Sequence, residues 1–186
     1  MRTLFKISLS SRDIALIAVF GALSAFPLLL TNAFNLVALT HIPGTNGIYV
    51  QFITALILWV GIGVIGKFGS AMTISVVSSI VEVIIPDGPG IVKPLLIPFN
   101  MVTGFIVDLM LLKSRSSASN RLIAGFFGIF RGLQTLVVQT FFGIPIHVGL
   151  PVVAVVCISG AIGANVGIQV LKRLYSSGMI VLRREA

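Results

Sequence analysis

Six apolar runs of 17 to 22 residues divide this 186-residue chain, with short polar breaks between most of them. They occupy residues 14–30, 48–65, 68–85, 95–112, 122–142 and 150–171. A helix needs about 17–25 residues to cross a hydrocarbon core of about 30 Å. The pattern therefore predicts an all-α integral membrane protein: one domain, residues 1–186, of six transmembrane helices. Gly66 and Lys67 alone separate the second run from the third, which predicts a tight helical hairpin. Only 10% of residues are charged, against about 25% in a soluble domain.

The basic residues set the expected orientation. With the N-terminus inside, eleven of the 13 lysines and arginines fall on the cytoplasmic side, from Arg2 to Arg184. Lys93 alone falls outside, and Arg131 lies within a span. That asymmetry places both termini in the cytoplasm and predicts a multi-pass protein of the cell membrane. The net charge of +8 is explained by these flanks, so no nucleic-acid partner is expected. The lone Cys157 excludes a disulfide framework and a cysteine-based metal site. The first run exceeds the usual 7–15 residues of a signal-peptide core, so it is expected to be retained.

The outer connections are unusual. Residues 31–47 read TNAFNLVALTHIPGTNG, semi-apolar with turn signals towards the end, which suits a segment folded back over the bundle. Residues 86–94 are likewise rich in turn residues.

Polar residues inside the runs carry the functional reading. Glu82 sits in an apolar run, where a central acidic residue costs on the order of 2.5–3.5 kcal/mol on insertion scales. Such a group is kept where it faces a cavity, a partner charge or a substrate. At about 1.5 Å per residue, Gln51, Glu82, Asn100 and Gln139 fall within about two turns of the outer face, on four different spans. Gln134 is a turn deeper, and Tyr49, His41 and His147 lie at or beyond that face. Polar groups converging in an apolar concavity, with Tyr49, Phe52 and Trp59 as candidate walls, suit a small-molecule site. Unconnected interfacial hydrogen bonds are the alternative. Asp108 and Arg131 fall near the inner ends of the fourth and fifth spans, about 7 Å apart in depth. They are expected to form a structural ion pair locking two helices.

No catalytic constellation is expected. Gly61 to Gly66 matches GxGxxG, and Gly61 to Lys67 begins a P-loop, but Phe68 stands where magnesium needs Ser or Thr. Both motifs also require a strand before the glycines and a helix after them. Helix packing and a turn explain these glycines. His41 and His147 lack an HExxH or paired-carboxylate context, and there is no GxSxG elbow. The chain reads as a non-enzyme, with no cofactor and no metal.

Two small-residue faces occur. Ala15, Ala18, Ala22 and Ala25 share one helical face of the first run, beside Gly21. Such a face lets another helix approach closely, inside the bundle or from a partner. Gly160, Gly163, Ala164 and Gly167 form a second, assigned to internal packing.

The opening Ser10-Ser-Arg-Asp-Ile-Ala-Leu-Ile-Ala-Val-Phe-Gly-Ala-Leu-Ser-Ala25, with the six runs and the foldable first outer loop, resembles the substrate-binding S component of an energy-coupling factor (ECF) vitamin transporter. In that family an AxxxA pattern in the first span docks on a membrane coupling subunit, and Ala18-Val-Phe-Gly-Ala22 matches it. The resemblance implies outward capture of a vitamin or cofactor precursor under a first-loop lid. Toppling in the membrane then follows, on a coupling subunit driven by two cytoplasmic ATPases. Val81-Glu-Val-Ile-Ile-Pro-Asp-Gly-Pro-Gly90 further resembles S components for thiamine or its hydroxymethylpyrimidine precursor. By the depth argument above, the expected substrate-binding set is Glu82, Gln51, Asn100, Gln139, Gln134, Tyr49, His147 and Trp59. A structural or assembly protein without a solute is the alternative from another class. A self-sufficient carrier is a third reading, weakened by the lack of a repeat.

Overall fold

A computed structural model describes residues 9–33, 45–84, 93–113, 117–141, 143 and 145–179. Among these residues there are six α-helices and no strand. They are α1 (Ser11–Ala33), α2 (Thr45–Ile65), α3 (Ser70–Ile84), α4 (Lys93–Lys113), α5 (Ser117–Phe141) and α6 (Ile146–Ser176). The expected outer loop, including His41, lies largely outside the described residues, as does the turn segment after Ile84.

Most helices outrun the apolar cores that announced them. The start of α1 shows why. Ser10 and Asp13 form a reciprocal cap: the Ser10 N–H and Oγ–H donate to Asp13 Oδ2 at 2.7 and 2.8 Å, and the Asp13 N–H donates to Ser10 Oγ at 3.3 Å. The polar residues ahead of the apolar run thereby satisfy amides that a helix start leaves open. Three helices are long and apolar enough to cross a membrane, over Ser11–Leu30, Asn120–Phe141 and Gly149–Ser176. The other three carry shorter apolar stretches, Tyr49–Ile65, Ser70–Ile84 and Leu96–Leu112.

The helices pack as a ring, α1–α2–α6–α5–α4–α3, with α2 also touching α3 across it. The α2–α3 turn is built on glycine. Gly66 and Gly69 hold φ of 63° and 90°, which other residues adopt only with strain. Lys67 Nζ donates to Asp13 Oδ2 at 2.7 Å and pins this turn to the start of α1. The glycines of the nucleotide-like motif are thus spent on packing and turning. Gly61 lies under Phe20, and the Gly63 carbonyl accepts the Tyr175 hydroxyl at 2.7 Å.

Small residues set the other crossings. Gly163 sits on the Phe52 carbonyl and Gly167 on that of Leu56, while Gly128 of α5 packs against Cys157 and Ala161 of α6. Ala164 is completely buried. The glycine-rich face of α6 is therefore internal, as its spacing suggests. The core between these contacts is apolar, with Ile74, Val107, Ala124 and Trp59 buried within it.

Candidate binding site

A polar cluster occupies the space between α2, α3, α4 and α5, in the half of the bundle away from the α2–α3 turn. Its centre is Arg131 of α5. Arg131 Nε donates to Gln51 Oε1 of α2 at 2.9 Å, and Nη1 donates to Asn100 Oδ1 of α4 and to Gln134 Oε1 at 3.2 Å. Asn100 Nδ2 donates onward to Ser79 Oγ at 2.7 Å, and Ser79 to the Ser75 carbonyl at 2.8 Å. Glu82 of α3 acts electrostatically on Arg131 and accepts from Ser78 Oγ at 3.1 Å. Four helices are thus joined through one guanidinium. A charged group in an apolar surround requires this many partners.

The cluster walls a cavity of about 160 Å³ lined by Gln51, Glu82, Leu96, Asn100, Arg131, Gln134, Thr135 and Val138. A deeper chamber of about 20 Å³ shares Glu82, Asn100 and Arg131 and is closed by Thr54, Leu58, Ser75, Ser78, Thr103 and Phe127. That chamber is large enough for a water molecule. Phe127 also meets Trp59 edge-on, with ring centroids 6.4 Å apart. Trp59 is therefore the second layer of the wall rather than its surface.

The expected residues divide accordingly. Glu82, Gln51, Asn100 and Gln134 come together around the cavity. Gln139 does not join them: it lies at the α5–α6 seam against Gly149, its Oε1 buried with no partner among the described residues. Tyr49 is exposed, as is His147 in the first turn of α6, and neither lines the cavity. On α1, Ala15, Ala18 and Ala22 are exposed while Ala25 is fully buried. The stripe therefore splits after three alanines. Ser24 accounts for the buried end, since its carbonyl accepts Thr54 Oγ1 of α2 at 2.8 Å.

The ion pair expected between Asp108 and Arg131 is not formed. Asp108 accepts the Ala71 N–H at 3.1 Å and the Met72 N–H at 2.9 Å, capping the start of α3 from α4. A carboxylate there satisfies open amides and complements the helix dipole. The depth argument failed because α5 begins at Ser117 rather than at the apolar run. Arg131 is then 14 residues along its helix, about 21 Å, while Asp108 is five from the end of α4, about 7.5 Å. Arg131 is the site residue that the spacing argument missed. Counted from Ser117 rather than from the apolar run, Arg131 reaches a depth compatible with that of Glu82, a signal that the apolar boundaries hid. Around the other end, Asp108 shares a separate cavity of about 240 Å³ with Lys67 and Ser70.

No family model matches the chain, and no curated protein matches it. Among solved structures it is similar to a crystal structure of an S-component of an ECF transporter. The two are 21% identical, with a TM-score of 0.63 over 92% of this chain and 88% of that one. The six-helix bundle has the fold of an ECF-transporter S-component.

Proposed function

We propose that this chain is the substrate-binding subunit of an ECF-type importer, capturing a small molecule in the cavity around Arg131 and Glu82. One observation carries the reading: four helices of an S-component-like bundle direct polar groups into a single cavity near one end. Helices held together only by scattered polar contacts have no need of a hollow there. The basic residues at the opposite end, Lys67 and Arg173 among them, support an orientation with that cavity towards the outside. The membrane coupling subunit and a pair of ATPases supply energy in trans. The exposed Ala15, Ala18 and Ala22 are the face that meets the coupling subunit. The substrate is a vitamin or cofactor precursor. Thiamine or its hydroxymethylpyrimidine precursor is supported by Glu82, since a carboxylate accepts strong hydrogen bonds from a ring amine and a protonated ring nitrogen.

The test is native mass spectrometry of the detergent-purified protein, together with binding to a panel of vitamins and precursors. A released small molecule whose binding weakens in Glu82→Gln supports the proposal. A correctly folded protein that carries nothing and binds nothing from the panel sinks it in favour of a structural role.

A further inference from the structure

We infer that Asn100 and Ser79 are positioning residues: together they aim the Arg131 guanidinium, and through it they set how tightly the cavity holds its solute. This rests on the proposed binding function and deepens it.

The hydrogen bonds leading away from Arg131 run in one direction. An arginine side chain is all donor and accepts nothing, so the atom of Asn100 that meets Nη1 is its carbonyl oxygen. The amide nitrogen is then turned the other way, where it needs an acceptor. Ser79 Oγ of α3 supplies one at 2.7 Å. A serine hydroxyl has a single proton, and that of Ser79 goes to the Ser75 carbonyl at 2.8 Å. Its oxygen is left to receive Asn100. Both ends of the amide therefore demand the same orientation. Reversing it would set donor against donor at Arg131.

Burial makes that order costly to break. Ser79 is fully buried and Asn100 is 4% exposed. Water cannot readily replace either partner there, and a buried polar group left unpaired costs more than an ordinary hydrogen bond contributes. Arg131, by contrast, lines both chambers of the cavity. Of its amide acceptors, Gln134 lies three residues further along the same helix and moves with it. Asn100 reaches Arg131 from α4 and is itself tied to α3 through Ser79. The plane of the guanidinium is thus referred to two helices on the far side of the cavity from its own.

Ser79 is not among the described residues lining either chamber. It can act on a solute only through its neighbours, and the side chain it holds is Asn100. That separates positioning from contact.

The experiment compares Ser79→Ala with a matched control, Ser24→Ala. Ser24 of α1 is also fully buried, and its hydroxyl likewise donates to a carbonyl of its own helix, that of Gly21, at 2.8 Å. It too is not among the described residues lining the chambers. Affinity is read by calorimetry on the detergent-purified protein. The probe is the member of the vitamin and precursor panel, thiamine and hydroxymethylpyrimidine included, that the wild type binds most tightly. Ser79→Ala is expected to weaken binding fivefold or more and Ser24→Ala less than twofold, at comparable losses of thermal stability. Equal loss of affinity in the two variants, or none in either, overturns the inference. So does a Ser79→Ala protein that cannot be folded beside a folded Ser24→Ala, because Ser79 would then be holding the bundle.

Nitrogen-15 NMR of arginine-labelled protein without solute reads the guanidinium directly, its signals assigned by their loss in Arg131→Lys. Separate Nη signals, the mark of hindered rotation, are expected for Arg131 in the wild type and in Ser24→Ala, and their merging in Ser79→Ala. Arg131 signals that Ser79→Ala leaves unchanged overturn the inference. Altered signals with unchanged affinity defeat it while leaving the binding function intact. A wild-type protein that binds no member of the panel defeats both.

Discussion

Asp108 and Arg131 show how a buried charge is misassigned when only its depth is known. Both are rare in apolar surroundings, and pairing them is the economical guess. Yet each has found polar partners of its own kind: backbone amides for the carboxylate, side-chain amide oxygens for the guanidinium. The Asp108 cap joins positions more than thirty residues apart, so no local spacing announces it. Its consequence is measurable. Asp108→Ala should lower stability by about 0.5–2 kcal/mol, the usual range for a lost helix cap, as read by thermal unfolding in detergent. In a double-mutant cycle with Arg131→Ala, the two effects should add within about 0.5 kcal/mol, as for separated sites. A coupling well above 1 kcal/mol would restore the ion pair. The amides were legible in a different way. Gln51, Asn100 and Gln134 were found by depth, but their orientation towards Arg131 depends on helix rotation, which a list of polar residues does not contain.

For the helices themselves, type and order were readable because each apolar run is too long for most other uses. Their ends were not. Polar caps such as Ser10 with Asp13 extend a helix beyond its apolar part, and hydropathy is blind to them. The alanine stripe shows the same limit within one helix. Equal spacing put four alanines on one face, but α1 turns its far end into the bundle, burying Ala25 beside the Ser24–Thr54 bond. Exposed Ile14, Val19 and Leu23 surround the remaining three. Replacing Ala18 and Ala22 together with Trp should abolish uptake and co-purification with the coupling subunit while sparing ligand binding by the isolated protein. Loss of binding in that variant would show that the face supports the site instead. Ala25→Trp should behave differently, destabilising the fold by about 1–3 kcal/mol or more through overpacking.

Across the whole molecule, packing is uneven, and that unevenness bears on how the cavity works. The α5–α6, α2–α6 and α3–α4 seams are close, with glycines bringing backbones together. The α4–α5 seam is the thinnest in the ring, and it is the one that flanks the cavity. There the contact between Asn100 and Arg131 joins the two helices beside the cavity. Hydrogen bonds to one charged group hold geometry well, but the two helices meet along less of their length than the other neighbours in the ring, so local opening should be easiest there. A ligand that bridges Arg131 and Glu82 adds contacts across the same gap and should stiffen it. Hydrogen exchange with and without saturating ligand tests this. At a concentration of 100 times Kd, binding adds about 2.7 kcal/mol to stability, and slowed exchange should concentrate in α4 around Asn100 and α5 around Arg131. Amides of α1 near Ala18 and of α6 near Gly163 should change little. Protection spread evenly over all six helices would mean that the ligand tightens the bundle as a whole, and the α4–α5 seam would lose its special place.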